Sequence, residues 1–409
     1  MRRAFNWRRL FAFLGPDASV VGQSLVALAL NSSTSLIAGA VAAAITGTFV
    51  RLPGLLILVP PAIGLRGNVF SALGSRISTA VHSGEFRPTL RRGTVLGDNV
   101  VASMLLTSGL ALALAVVAKL VAVAVGVRGS ISILDLATIS ILGGVLASLF
   151  VLLATVVLAF GAVRFGWDLD NLVAPIVSTL GDVLTLPALW LAAQVVEHGW
   201  SSTLLGWLLT ILTSVGVVYG WRTRQRLLRE IVRQSWPVLF AALVLSTLAG
   251  VVIEKRLGLL EVFPALLILE PAFVSSAGAL GGILSNRLSS GLNLGMVTPS
   301  GVPPRSARRD AALLGGLAVP IYIFNALGAV WVGTLLHKAS PGTGLMLAVS
   351  LLGAIGAVSF VIIVAYYGSV AAYRLRLDPD TYGVPTITSS VDFVGALMLV
   401  AAIVALGIH

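Results

Sequence analysis

The 409-residue chain has no cysteine. Disulfides, thiolate metal sites and iron–sulfur clusters are therefore excluded, although compartment stays open. Lysine is almost absent: Lys119, Lys255 and Lys338 follow Ala, Glu and His, so the Gly-Lys step of a phosphate-binding P-loop does not occur. The four histidines, His82, His198, His337 and His409, are scattered and show no metal-ligand spacing. Charge is scarce too, at 11% of residues. What fills the sequence instead is apolar: 57% hydrophobic residues and a mean hydropathy of +1.00. A soluble domain with such a surface would aggregate. Apolar runs long enough to cross a bilayer recur along the chain, which predicts an all-α polytopic membrane protein with the lipid bilayer as its partner.

Eleven spans are predicted, near 18–49, 53–83, 98–126, 133–163, 171–197, 203–221, 237–254, 258–295, 310–337, 343–373 and 383–408. The basic, aromatic start "MRRAFNWRRLFAFLGPD" is too short and interrupted for a cleavable signal and reads as an interfacial anchor over 1–17. With the N-terminus cytoplasmic, 18 of the 27 Lys and Arg fall on inner segments and six on outer ones. This bias predicts a multi-pass protein of the cell membrane with its C-terminus extracellular. It also accounts for the net charge of +11 without a nucleic-acid partner.

The chain repeats itself. "LLILVPPAIGLRGNVFSALGSRISTAVHSG" (55–84) and "LLILEPAFVSSAGALGGILSNRLSSGLNLG" (266–295) share 10 of 30 positions at an offset of 211. "DLDNLVAPIVSTLGD" (168–182) and "DPDTYGVPTITSSVD" (378–392) keep Asp-x-Asp, proline and aspartate at one spacing. Gln23-Ser24 and Ala38-Gly39 return as Gln234-Ser235 and Ala249-Gly250. Duplication on this scale points to a transporter. Two consecutive five-span copies would lie inverted; the extra span 203–221 makes them parallel. The expected layout is 5+1+5, with repeats over 18–199 and 237–409 joined by a span and basic linker over 200–236. A pseudo-two-fold axis would run along the membrane normal, and a monomer would hold both halves of a pore. Oligomeric state stays open.

Asp182 and Asp392 interrupt their spans at equivalent positions. A carboxylate at mid-span costs about 2.5–3.5 kcal/mol. A lone acid there can serve only to bond a neighbouring helix, but recurrence with the same companions favours function. Ser178 and Thr179 precede Asp182 by one helical turn, as Thr388 and Ser389 precede Asp392. Pro175 and Pro385 free carbonyls at Asn171 and Thr381. An all-oxygen donor set suits Mg²⁺ or Ca²⁺, and Mg²⁺ keeps several waters. On the glycine-rich second span of each half, Asn68, Ser71, Ser75 and Asn286 can reach an ion, through a helix that small residues pack closely or that is broken. Arg76 and Arg287 read as snorkelling anchors. Glu270, opposite Val59 in the repeat, can be a third ligand, a proton site or a partner for Arg66. The Asp168/Asp170 and Asp378/Asp380 pairs can focus cations at the inner mouth, or complement helix N-termini.

The segments "PPAIGLRGNVFSALGSRISTAVHSGE" and "DNLVAPIVSTLGDVLTL" resemble the MgtE-type divalent-cation transporters, and most closely the solute carrier family 41 branch, in which two such domains are fused. The resemblance covers nearly all of 18–409. It implies Mg²⁺ transport, with Mn²⁺ or other divalent ions also possible cargo, through a pore between paired five-helix domains. The family's pore carboxylate falls on Asp182 and Asp392. Its polar second-helix positions fall on Asn68, Ser71 and Ser75, and on Ala279, Gly282 and Asn286 in the second half, which implies an asymmetric pore. A soluble Mg²⁺-sensing domain, as bacterial members carry, is not expected. An Na⁺- or H⁺-coupled Mg²⁺ exporter using Glu270 is the alternative. An enzyme is not expected, since no His or Cys accompanies the interfacial acids.

Overall fold

The computed structural model describes residues 18–408 except 88, 128, 166–168, 198–201 and 376–383, and within its helices leaves out the side chains of 18–20, 162–163, 169–175, 178, 202 and 384–386. The interfacial segment 1–17 and Asp168, Asp378 and Asp380 thus lie outside the described residues. Among the described residues the structure is helical and carries no strand. The helices are α1 (Ala18–Ala44), α2 (Thr46–Arg51), α3 (Leu55–His82), α4 (Val95–Ala124), α5 (Ile133–Phe165), α6 (Leu169–Glu197) and α7 (Ser202–Arg222). They continue with α8 (Arg226–Glu254), α9 (Leu257–Val262), α10 (Ala265–Asn293), α11 (Arg305–Leu335), α12 (Thr343–Leu375) and α13 (Val384–Ala405). Eleven of them are long and apolar enough to cross a membrane; α2 and α9 are six residues each.

The boundaries depart from the sequence reading in two instructive places. The first span stops at Ala44, and α2 follows as a separate turn before Gly54, whose φ of 92° lets the chain re-enter as α3. The matching place in the second half holds α9. The basic stretch after α7 is not a linker up to residue 236: α8 begins at Arg226 and runs unbroken to Glu254. Likewise α3 and α10 are continuous despite Pro60, Pro61 and Pro271, each of which lies just past the first turn and removes one backbone hydrogen bond.

The two halves are clasped by exchange. The most extensive contact of α1 is with α10, and that of α8 is with α3; no comparable contact joins α1 to α3 or α8 to α10. Two glycines permit this. A Cβ on Gly39 would overlap the Ile268 backbone, and one on Gly250 would overlap the Ile57 backbone. Gly39 and Gly250, and Ile57 and Ile268, are repeat equivalents at offset 211, so one close backbone crossing occurs twice. Within each half α1 also touches α6, and α8 touches α13. Helix α7 packs at the side, on α4, α5 and α8, with Leu204, Trp207, Leu208, Ile211 and Leu212 exposed. Such an apolar outer face suits lipid contact.

Candidate ion site between the halves

Asp182 lies 13 residues into α6, about 20 Å along the helix at 1.5 Å per residue. Its Oδ2 accepts a hydrogen bond from the Ser35 hydroxyl of α1 at 3.3 Å. On the other side, Asp392 Oδ2 of α13 accepts from Ser246 of α8 at 3.1 Å. Ser35 and Ser246 are buried and repeat-equivalent; both carboxylates are half-buried, so neither is sealed off. The serine that holds each aspartate therefore comes from the very helix that is clasped by the opposite half.

Asp182 and Asp392 are close enough for the charge of one to act on the other, and Glu270 of α10 lies within the same electrostatic reach of Asp392. Three acids thus share one region of the interior. Among the described residues no group of three or more acidic or histidine side chains is gathered tightly enough to enclose a metal ion.

Helix α3 links this region to the polar residues of the second span. Gly64 faces Asp392: a Cβ there would stand 3.7 Å from Oδ2 and 3.8 Å from the Ser246 hydroxyl. Asn68, Ser71 and Ser75 follow Gly64 at plus four, seven and eleven, on the same stripe of the helix. Burial falls along that stripe, from half-buried Asn68 and Ser71 to exposed Ser75. On α10 the equivalent stripe is Ser275, Ala279, Gly282 and Asn286, again half-buried first and exposed at Asn286. A methyl built on Gly67, or on its equivalent Gly278, meets nothing within 4 Å. Open space therefore lies beside both second helices.

The remaining expected ligands are placed as follows. Thr179 and Thr388 are half-buried and Ser389 is buried, one turn before the aspartates. The side chains of Ser178, Pro175, Pro385 and Asp170 lie outside the described residues, as does Thr381. Arg66 is buried with its guanidinium toward Gly144, bonded to the Ala62 carbonyl, and its Nε has no hydrogen-bond partner among the described residues. Among the described residues it forms no ion pair with Glu270. Arg287 pairs with Asp310 at 2.7 Å, and Arg76 donates to the Ser235 hydroxyl at 3.1 Å.

The site is lopsided. On one side of the axis Asn31 bonds Ser275, Ser32 bonds Ser276, and the Asn325 amide reaches both Ser276 and the Ala272 carbonyl. The equivalent residues on the other side are Ala242, Gly64, Leu243, Leu65 and Leu114, which offer no side-chain polar atom. The mid-helix polar cluster is present in one clasp alone, on the helix that carries Glu270, whereas α8 and α3 make their polar contacts near the helix ends, at Ser235 with Arg76 and at Glu254 with the Gly54 amide.

The profile of the MgtE family, described as a divalent cation transporter, matches residues 59–192 and again 270–402. The chain belongs to this family. Solute carrier family 41 member 3 of Mus musculus is 26% identical over 385 residues, covering 86% of this chain and 75% of the relative. Solute carrier family 41 member 2 of Homo sapiens is 24% identical over 387 residues, covering 86% of this chain and 64% of the relative. No solved structure matches the chain. Both MgtE matches begin inside a second helix, at Val59 and Glu270, and so leave out α1 and α8. Those are the helices that supply Ser35 and Ser246. The sequence signal for these two serines is their identity at offset 211 inside the echoed first span, a signal hidden among other hydroxyl residues there, of which Ser33 and Thr34 bond carbonyls of their own helix.

Proposed function

We propose that this MgtE-family chain carries Mg²⁺ across the cell membrane, between two parallel repeats over 18–199 and 237–409 that α7 and its basic linker join in a 5+1+5 arrangement. The repeated carboxylate–serine pairs, Asp182 with Ser35 and Asp392 with Ser246, carry this reading. A cation between two acids that face one region offsets their mutual repulsion, and hydroxyls that fix one oxygen of each leave the other to hold a water of the ion. Asn68, Ser71 and Ser75, with Asn286 opposite, would line the approach, and the hydroxyls of Thr179, Thr388 and Ser389 would orient waters. For a divalent ion an inside-negative potential favours entry by about 4.6 kcal/mol per 100 mV, twice the single-charge value. The test is Mg²⁺ flux in proteoliposomes loaded with an Mg²⁺-sensitive dye. Asp182→Asn and Asp392→Asn should each lower flux at least tenfold, and an unchanged double variant would remove the site.

Glu270 supports a second reading, coupled exchange, because it has no repeat counterpart yet lies within reach of Asp392. In that case flux would follow an imposed Na⁺ or pH gradient, and Glu270→Gln would abolish this dependence.

A further inference from the structure

Where α7 packs against α8, a cavity of about 260 Å³ opens, lined by Val217, Val218, Trp221, Arg222 and Trp236. Its lining combines two valines and two tryptophans with one arginine. The aromatic walls are fixed in place. Trp221 and Trp236 meet edge to face with ring centroids 6.5 Å apart. Arg233 donates to the Trp221 carbonyl at 3.0 Å and lies 5.9 Å from the Trp221 ring centroid. Room for the Trp236 ring depends on Gly109 of α4, where a Cβ would stand 2.7 Å from it.

The charge around this cavity is strongly one-sided. Arg222, Arg224, Arg226, Arg229 and Arg233 fall within twelve residues, and the one acid among them, Glu230, accepts a bond from Gln234. Arg222, Arg224 and Arg226 are exposed and take part in no ion pair among the described residues. The cavity beside Arg287 makes a useful contrast: it holds about 10 Å³, and Asp310 already balances the arginine. A ligand for the α7–α8 cavity must bring an anionic head for the arginines and an apolar body for Val217 and Val218. It must also reach a helix whose outer face is exposed and apolar. A phospholipid of net negative charge meets all three demands, and tryptophans and arginines together at a helix end are suited to the headgroup level.

We propose that the α7–α8 junction is a binding site for an anionic phospholipid, with the phosphate at Arg222 and its neighbours and the acyl chain along Val217 and Val218. The site is independent of the cargo and of the aspartates. It gives the extra helix, which has no repeat counterpart, a tie to the lipid around it.

Native mass spectrometry of the full chain, released from detergent after mixing with equal phosphatidylglycerol and phosphatidylcholine, tests this. A phosphatidylglycerol adduct should persist in excess of phosphatidylcholine. Each of Arg222→Gln and Arg226→Gln should weaken it about fivefold, the expectation for one basic residue near an anionic surface. Arg305→Gln/Arg308→Gln, at another basic helix start, should leave it intact. Should the glutamine variants not fold, quenching replaces the adduct as readout. Brominated phosphatidylglycerol should quench tryptophan beyond brominated phosphatidylcholine, and Trp221→Phe/Trp236→Phe should remove that excess. Equal retention of both lipids, equal loss in the Arg305/Arg308 variant, or displacement of the lipid by inorganic phosphate at millimolar concentration would overturn the proposal.

Discussion

Ser35 and Ser246 show how much a single hydroxyl can decide inside a bilayer. A carboxylate free to rotate would spread its charge over several orientations, and a serine donor fixes one. Hydrogen bonds to charged groups contribute about 1.5–3 kcal/mol, against well under 1 kcal/mol for the average polar contact between membrane helices. Ser35→Ala and Ser246→Ala are each expected to weaken apparent Mg²⁺ affinity roughly tenfold in the dye assay while the protein stays monodisperse in detergent, and serine-to-threonine changes should keep most of the affinity. An alanine pair with wild-type affinity would show that the serines are spectators. The aspartates themselves were legible in the sequence, because an acid inside an apolar span is costly and a repeated one more so. The serines were not, since a hydroxyl in a span satisfies itself on its own helix at no visible cost, and the identity of its partner depends on tertiary packing.

Among the elements, α1 with α10 and α8 with α3 carry the assembly. Their backbones cross where Gly39 and Gly250 stand, and any side chain there must push two helices apart. Gly39→Leu and Gly250→Leu should cost about 3 kcal/mol or more, beyond ordinary overpacking because the obstacle is backbone. Size-exclusion profiles and thermal unfolding in detergent would register this as aggregation or a lower midpoint. Gly22→Ala, a helical position with nothing within 4 Å, supplies the control and should leave both readouts unchanged or slightly improved. Hydropathy alone located all eleven long helices. It could not separate α2 from α1, because the chain stays apolar through the break at Ile45. Nor did it join the basic stretch to α8, since charge marks a change of solvent rather than a change of backbone.

At the scale of the molecule, the absence of cysteine makes orientation directly measurable. Single Thr89→Cys and Lys338→Cys variants should react with a membrane-impermeant maleimide from opposite sides, Thr89 from the cytoplasm and Lys338 from outside, as the arginine distribution requires. Exchanged sides would invert the proposed topology, and labelling of both from one side would break it. The clasped first helices have a consequence for synthesis. Helix α1 enters the bilayer roughly 220 residues before its main neighbour α10 is made, so the nascent amino-terminal portion stays an unfinished intermediate until translation is well past the linker. A gene cut between codons 223 and 224 should therefore yield two fragments that are each degraded when produced singly and rescued when produced together, a mutual dependence that pulse-chase labelling would measure as a lengthened half-life of both.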